Sequence, residues 1–336
     1  MQAAIYAPLG LTLSNAERDF FRDSDPAGYI LFRRNMEDEA QLRALTDALR
    51  DIHARPDLPI LIDQEGGRVA RMRPPAWPAF PSGEKFDRLY SLAPASAIEA
   101  ARSNSRALGL MLRSVGINVN CLPVLDVRQP GGSDIIADRA YGSEPMQVAA
   151  LGRAVLDGMA STGVIGVVKH MPGHGRALVD SHKELPLVTA TEAELAIDLL
   201  PFERLAQAPM GMVAHILFEA WDRDRPSSQS PIVVNEIIRG QIGFNGFLMT
   251  DDISMNALEG SPGHRSAIAI AAGCDATLHC NGRLDEMIDI AFHVGPLGDE
   301  AEARLARAMS GARVGTDDGP DFAQAVALRD ELLALV

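Results

Sequence analysis

Short, continuously apolar runs alternate along the whole chain with longer segments in which apolar residues return every three or four positions. The apolar runs are "AAIYAPLG", "GYILF", "PILID", "INVNCLPVLD", "VIGVVKH", "MGMVAHI", "GFLMTDD" and "ATLHC". Most lack the apolar–polar alternation of a half-exposed strand, so they read as strands buried on both faces of a parallel sheet. The segments at 38–53, 95–115, 145–162, 191–207 and 233–242 have the helical period. Eight strands in largely βα alternation, with no low-complexity linker, predict an α/β fold: a single (β/α)8 TIM-type barrel. The alternative, a doubly wound open sheet, lacks support from any GxGxxG after an early strand. The tail, 299–336, reads as two more helices on the outside of the barrel. One catalytic barrel domain over 1–336 is therefore expected.

Composition narrows the partners more than the chemistry. The chain has 336 residues, 47% hydrophobic and 23% charged, which is enough to bury a sizeable core. A formal net charge of -14 argues against nucleic acid or an anionic membrane surface as partner. Cys121, Cys274 and Cys280 are odd in number and lack metal-ligand spacing, which fits a reducing compartment. The first residues lack a basic segment followed by an apolar core, and no run approaches the roughly 20 apolar residues of a membrane span. A soluble, cytoplasmic monomer acting on a small-molecule substrate is the expectation.

Polar residues fall at the ends of the apolar runs. Asp63 closes "PILID", Asp126 closes "LPVLD", Lys169 and His170 close "VIGVVKH", His215 follows "MGMVA", and Asp251 and Asp252 close "GFLMTDD". In a parallel barrel those ends converge on one mouth, where catalytic groups sit. Any one of them is accounted for as a strand terminus or helix cap; five strands ending alike are not. The two long connections at that end are "RQPGGSDIIADRAYGSEP" and "MPGHGRALVDSHKELP", and long loops in a compact domain are often functional. Three of the chain's 8 histidines, His170, His174 and His182, lie between Lys169 and Pro186.

Together the blocks "KHMPGHGRALVDSHKELP", "IDQEGGRVARM", "LPVLDV", "DRAYGSEP" and "MTDDISMNAL" resemble, in order, those of bacterial β-N-acetylglucosaminidases (β-hexosaminidases) of glycoside hydrolase family 3, NagZ type. The resemblance spans roughly residues 28–281. Met171 stands where an aromatic is common, and "LHCNGR" varies a looser block. The resemblance implies retaining removal of terminal β-linked N-acetylglucosamine from cell-wall fragments, in which that sugar is joined to 1,6-anhydro-N-acetylmuramic acid with or without peptide. It implies Asp251 as nucleophile, His182 as general acid/base and Asp180 as its partner, with no metal or cofactor. It assigns Asp63, Arg71, Arg139, Lys169 and His170 to sugar binding.

Judged as chemistry, Asp63, Asp126 and Asp251 offer the pair of carboxyl groups most glycosidases use. In an extended segment Asp180 and His182 point to the same side, and a carboxylate beside an imidazole fixes its tautomer and favours its charged form. Such a histidine can donate a proton in one half-reaction and accept one in the next. Asp251 and Asp252 are adjacent in a strand and point to opposite sides, so one of them faces the substrate. His174 and His215 read as polar supports of the loop. A metallohydrolase using His170, His174, His182, His215 and Asp251 is a rival, although no HxH pair ends an early strand. A non-catalytic sugar-binding barrel, and a phosphorylase that takes phosphate in place of water, are the others.

Overall fold

A computed structural model describes residues 1–132, 135–179, 184–313 and 319–336. Each predicted apolar run supplies a strand: Gln2–Tyr6, Pro26–Leu31, Ile60–Ile62, Val119–Asn120, Ile165–Met171, Met210–Val213, Phe247–Asp252 and Ala276–Leu278. Each pairs in parallel with its neighbours in this order, and the last closes on the first through Ala4–Thr277 and Ile5–Leu278. The result is the expected (β/α)8 barrel. Its strands are apolar on both faces because one face fills the barrel and the other meets the helices.

The helices form where the sequence sets both a start signal and an inward stripe. Asp38 caps Glu39–His53 by accepting from the Gln41 amide at 2.8 Å, and Leu42, Leu45, Thr46 and Leu49 then face the barrel. Ser14 and Glu17 form a reciprocal capping box that starts Asn15–Ser24. Both terminal helices exist, Asp299–Ser310 and Phe322–Leu333, and both pack outside the strands. Arg329 of the last helix reaches Asn104 at 3.3 Å and stacks over Phe80.

Two local expectations change. The run "INVNCLPVLD" pairs regularly only at Val119–Asn120, with one further bridge from Val124 to Lys169. Pro123 has no N–H to give the ladder, and the chain continues to Asp126 outside a regular strand while still bonded to the fifth strand through the Leu122 and Pro123 carbonyls and the Leu125 amide. The segment expected as an ordinary helix at 233–242 winds with π geometry over Ile232–Gln241. A parallel pair, Leu187–Val188 with Leu217–Phe218, adds a small ribbon over a satellite core of Ala177, Val188, Leu195, Ala214, Ile216 and Phe218.

One buried side chain joins barrel to mouth. Asn120 accepts from the Gln64 amide and donates to the Gln64 carbonyl, both at 3.0 Å, just where the third strand ends. Asn120→Ala leaves both backbone groups without that partner. The expected loss is about 1–3 kcal/mol for each group left unpaired. It should appear as a lower urea midpoint at unchanged slope; an unchanged midpoint would show that water or a shift of the chain replaces the amide.

Candidate active site

The loop after the third strand is shaped by its own side chains. Gln64 accepts from the Arg71 and Met72 amides at 2.8 and 3.0 Å and donates to the Met72 carbonyl at 2.9 Å. This folds residues 64–72 back on themselves. The reversal runs through Gly66 at φ +102° and Gly67 at φ +57°, with Gly66 pressed against the Pro81 backbone. A side chain there would be strained in angle and blocked in space. The fold-back brings Asp63, Glu65 and Arg71 to one wall.

Lys169, from the fifth strand, completes that wall. Its ammonium lies 2.9 Å from Asp63 and 2.7 Å from Glu65, with 2% of the side chain exposed. Arg71 donates to the other Asp63 oxygen at 3.1 Å. Arg139 grips Glu65 with two bonds of 2.8 Å and lies 3.4 Å from His170 Nε2. His170 Nδ1 lies 2.6 Å from the fully buried Asp126. The ionisable groups thus run in one chain: Arg71, Asp63, Lys169, Glu65, Arg139, His170, Asp126.

Opposite charges at contact decide the ionisation. Burial alone would raise the pKa of Asp63, but Lys169 and Arg71 outweigh it and hold the carboxyl well below its ordinary range. Glu65 is pulled to about 2, with burial overcome by Arg139 and Lys169. Asp126 also falls to about 2, its burial outweighed by His170 and the amide of His174. Burial would lower Lys169, yet the two carboxylates raise it above its usual value. His174 is lowered to about 4, chiefly by burial.

The neighbouring carboxylates of the seventh strand differ in their partners. Asp252 accepts from the Ser254 amide and hydroxyl at 3.0 and 2.7 Å and from the Cys280 amide at 3.1 Å, so it ties the strand end to the next one. The Asp252 amide donates to Asp251 at 2.8 Å. His215 lies 3.1 Å from the Asp252 carbonyl and 2.6 Å from the Ser228 hydroxyl. A carbonyl only accepts, so Nε2 carries the proton and Nδ1 accepts from Ser228. Both ring nitrogens are taken up in supporting this end of the barrel.

A cavity of about 330 Å³ opens at the carboxyl ends of the strands, lined by Asp63, Arg71, Arg139, Lys169, His170 and Asp251 together. Six residues expected from separate segments therefore share one site. Asp180 and His182 lie outside the described residues. His170, His174, His215 and Asp251 do not assemble into a ligand set: among the described residues no group of three or more His, Cys, Asp or Glu is arranged to hold a metal ion. Sequence reasoning missed Glu65, whose signal was its place beside two glycines in a loop following a polar strand end. It also left Asp126 without a partner, and Phe32, under the guanidinium groups of Arg34 and Arg71, without notice.

A barrel mouth walled with directed, charge-assisted donors and acceptors suits a polyhydroxylated ligand, and comparison places the chain among the glycoside hydrolases. Comparison makes the family definite: the glycosyl hydrolase family 3 N-terminal domain matches residues 7–314, and the chain belongs to that family. It is 38% identical to the β-hexosaminidase of Bordetella avium over 279 residues, 81% of this chain and 78% of that one. It is 34% identical to the β-hexosaminidase of Nitrosospira multiformis over 328 residues, 94% of this chain and 92% of that one. Among solved structures it resembles NagZ from Neisseria gonorrhoeae in complex with N-trifluoroacetyl-D-glucosamine, with TM-score 0.88 and 30% identity, covering 99% of this chain and 98% of the other. The chain is a glycoside hydrolase of the β-hexosaminidase type. No described helix is long and apolar enough to cross a membrane.

The buried charges give the site a pH signature. Glu65 has its folded pKa depressed from 4.5 to about 2, so the stability it lends is complete above about pH 4.5 and is lost as pH falls toward 2. Asp63 and Asp126 act in the same sense. Lys169→Met removes the cation that Asp63 and Glu65 share. It should cost about 3–5 kcal/mol at neutral pH and flatten the acid-side slope, because less proton uptake accompanies unfolding. Urea unfolding from pH 7 to pH 3 measures both; equal slopes in the two proteins would contradict the account.

Proposed function

We propose that the protein is a retaining exo-β-N-acetylglucosaminidase. It would release terminal β-linked N-acetylglucosamine from peptidoglycan fragments in which that sugar is linked to 1,6-anhydro-N-acetylmuramic acid, with or without peptide. It would act in cell-wall recycling as a cytoplasmic, single-domain monomer that needs no metal or cofactor. The observation that carries the reading is the common cavity of Asp251 with Asp63, Arg71, Arg139, Lys169 and His170. The N-acetylglucosamine analogue held by the Neisseria gonorrhoeae relative supports the sugar.

In this reading Asp251 attacks the anomeric carbon as the glycosidic bond breaks, and His182, oriented by Asp180, protonates the departing oxygen. The glycosyl-enzyme ester is then cleaved by water, whose proton returns to His182. The assignment of Asp251 over Asp252 is supported by the engagement of Asp252 with Ser254 and Cys280. Asp63, Arg71, Arg139, Lys169 and His170 hold the sugar hydroxyls and the acetamido group.

The test of the reading is the product formed from the N-acetylglucosaminyl-anhydromuramyl disaccharide, with and without phosphate. Free N-acetylglucosamine, released first as the β-anomer and unchanged by phosphate or by exhaustive chelation, is expected. A sugar phosphate would make the protein a phosphorylase; activity lost on chelation and restored by zinc would make it a metallohydrolase.

Two substitutions separate the roles. Asp251→Asn should reduce kcat on the order of 10⁴-fold or more, as loss of a covalent catalyst does. Asp252→Asn should cost far less, and the reverse ranking would reassign the nucleophile. His182→Ala should be severe on the disaccharide, whose alkoxide needs a proton to leave, and milder for glycosylation by a nitrophenyl glycoside. Equal slowing of both substrates would make His182 a binding residue instead.

A further inference from the structure

We infer that Phe32 is a positioning residue for Arg71: its ring steadies the guanidinium without using any of its N–H groups, so that Arg71 Nη1 stays free to donate to the bound sugar. The inference rests on the proposed sugar-binding role of the cavity and adds the residue that sets one of its donors.

The two arginines of the wall are held in different ways. Arg139 has each of its nitrogens engaged: Nε and Nη2 donate to Glu65, both at 2.8 Å, and Nη1 donates to the Ile135 carbonyl at 3.1 Å. The Arg71 guanidinium makes one such bond, from Nη2 to Asp63 at 3.1 Å. Its Nε is buried without a partner, and among the described residues Nη1 has none either. The second hold is Phe32, whose ring centre lies 5.1 Å from Arg71 Cζ. A guanidinium over a ring is attracted through its face, and its N–H groups point outward in its own plane. A second carboxylate would hold Arg71 as firmly but would take donors away from a ligand. Arg71 and Phe32 both line the cavity, so the unpaired donor belongs to the wall that a sugar would meet.

Phe32 is itself held from behind. It follows directly on the second strand, and its amide donates to Asn35 Oδ1 at 2.9 Å. Asn35 is fully buried and donates in turn to the Pro8 and Gly10 carbonyls, at 2.9 and 2.8 Å. Arg34 lies over the same ring, 4.9 Å from its centre, and donates to the Pro8 carbonyl at 3.1 Å and the Cys280 carbonyl at 2.6 Å. The ring is thus tied to the loops that follow the first and eighth strands. A platform fixed at three strand ends steadies the one arginine that the wall holds by a single hydrogen bond.

A double-mutant cycle tests whether the ring acts through the guanidinium. Phe32→Leu keeps an apolar side chain but removes the ring face. It should lower kcat/KM for nitrophenyl N-acetyl-β-glucosaminide on the order of 10-fold, the scale of one guanidinium–ring contact. In an Arg71→Met background the same substitution should cost less than about twofold, since no guanidinium is left to place. A kcat/KM within about twofold of wild type for Phe32→Leu alone would overturn the inference. So would an equal loss in both backgrounds, because the ring would then touch the ligand itself or support the fold at large. A wild-type arm covers a Phe32→Leu protein that does not fold. With ¹⁵N-arginine labelling, and the Arg71 signals identified by their loss in Arg71→Met, N-acetylglucosamine at a concentration that inhibits turnover should shift the Arg71 guanidinium signals. Unmoved signals would overturn the inference and leave the proposed function standing. A wild-type protein that cleaves no N-acetylglucosaminide would instead defeat the proposed function.

Discussion

The mouth of this barrel depends on one buried ammonium shared by two carboxylates. Lys169 arises from the fifth strand, and Asp63 and Glu65 flank Gln64 just past the third. None of the three is affordable alone: a buried charge that loses its partner destabilises by several kcal/mol. As a set they satisfy one another, and they pin a glycine-dependent loop to a strand two places away in the barrel. The same contacts hold Arg71 and Arg139 in place, since each grips a carboxylate that Lys169 also holds.

Stability and the shape of the cavity wall therefore draw on the same bonds. Within the run from Arg71 to Asp126, Asp63, Glu65 and Asp126 are held ionised by the cations and donors beside them, and Lys169 is held charged by the two carboxylates. A wall held by such bonds has its donors and acceptors fixed before any ligand arrives. Asp251 stands apart from that chain on the seventh strand, while its neighbour Asp252 joins strand ends. Both line the cavity, and Asp252 also ties strand ends together.

Much of this was legible in the sequence, for a physical reason. Strands buried on both faces must be apolar throughout, so a polar residue at the end of such a run stands out; Asp63, Lys169, His170 and Asp251 were found that way. What was not legible arises from tertiary closure. Glu65 sits in a loop whose direction is set by Gly66, Gly67 and the Gln64 side chain, and no local pattern reveals that it meets Lys169. Asp126 was visible as a strand end, but its bond to His170 spans the gap between two strands. The fourth strand was read too long because the apolar run continues past Pro123, where regular pairing does not. Strand alternation points Asp251 and Asp252 to opposite sides, and the bonds from Ser254 and Cys280 to Asp252 are tertiary contacts that no local pattern reveals.

In the proposed mechanism Asp251 forms a covalent bond with a sugar held by this charged wall. The direct measurement is mass spectrometry of the protein quenched during turnover of a 2-fluoro glycosyl substrate, whose fluorine slows breakdown of the ester. One glycosyl unit is expected on the peptide that contains Asp251, and none in Asp251→Asn. Tight inhibition by an oxazoline-type compound with no label on Asp251 would contradict it, because the substrate's own acetamido group would then be the nucleophile.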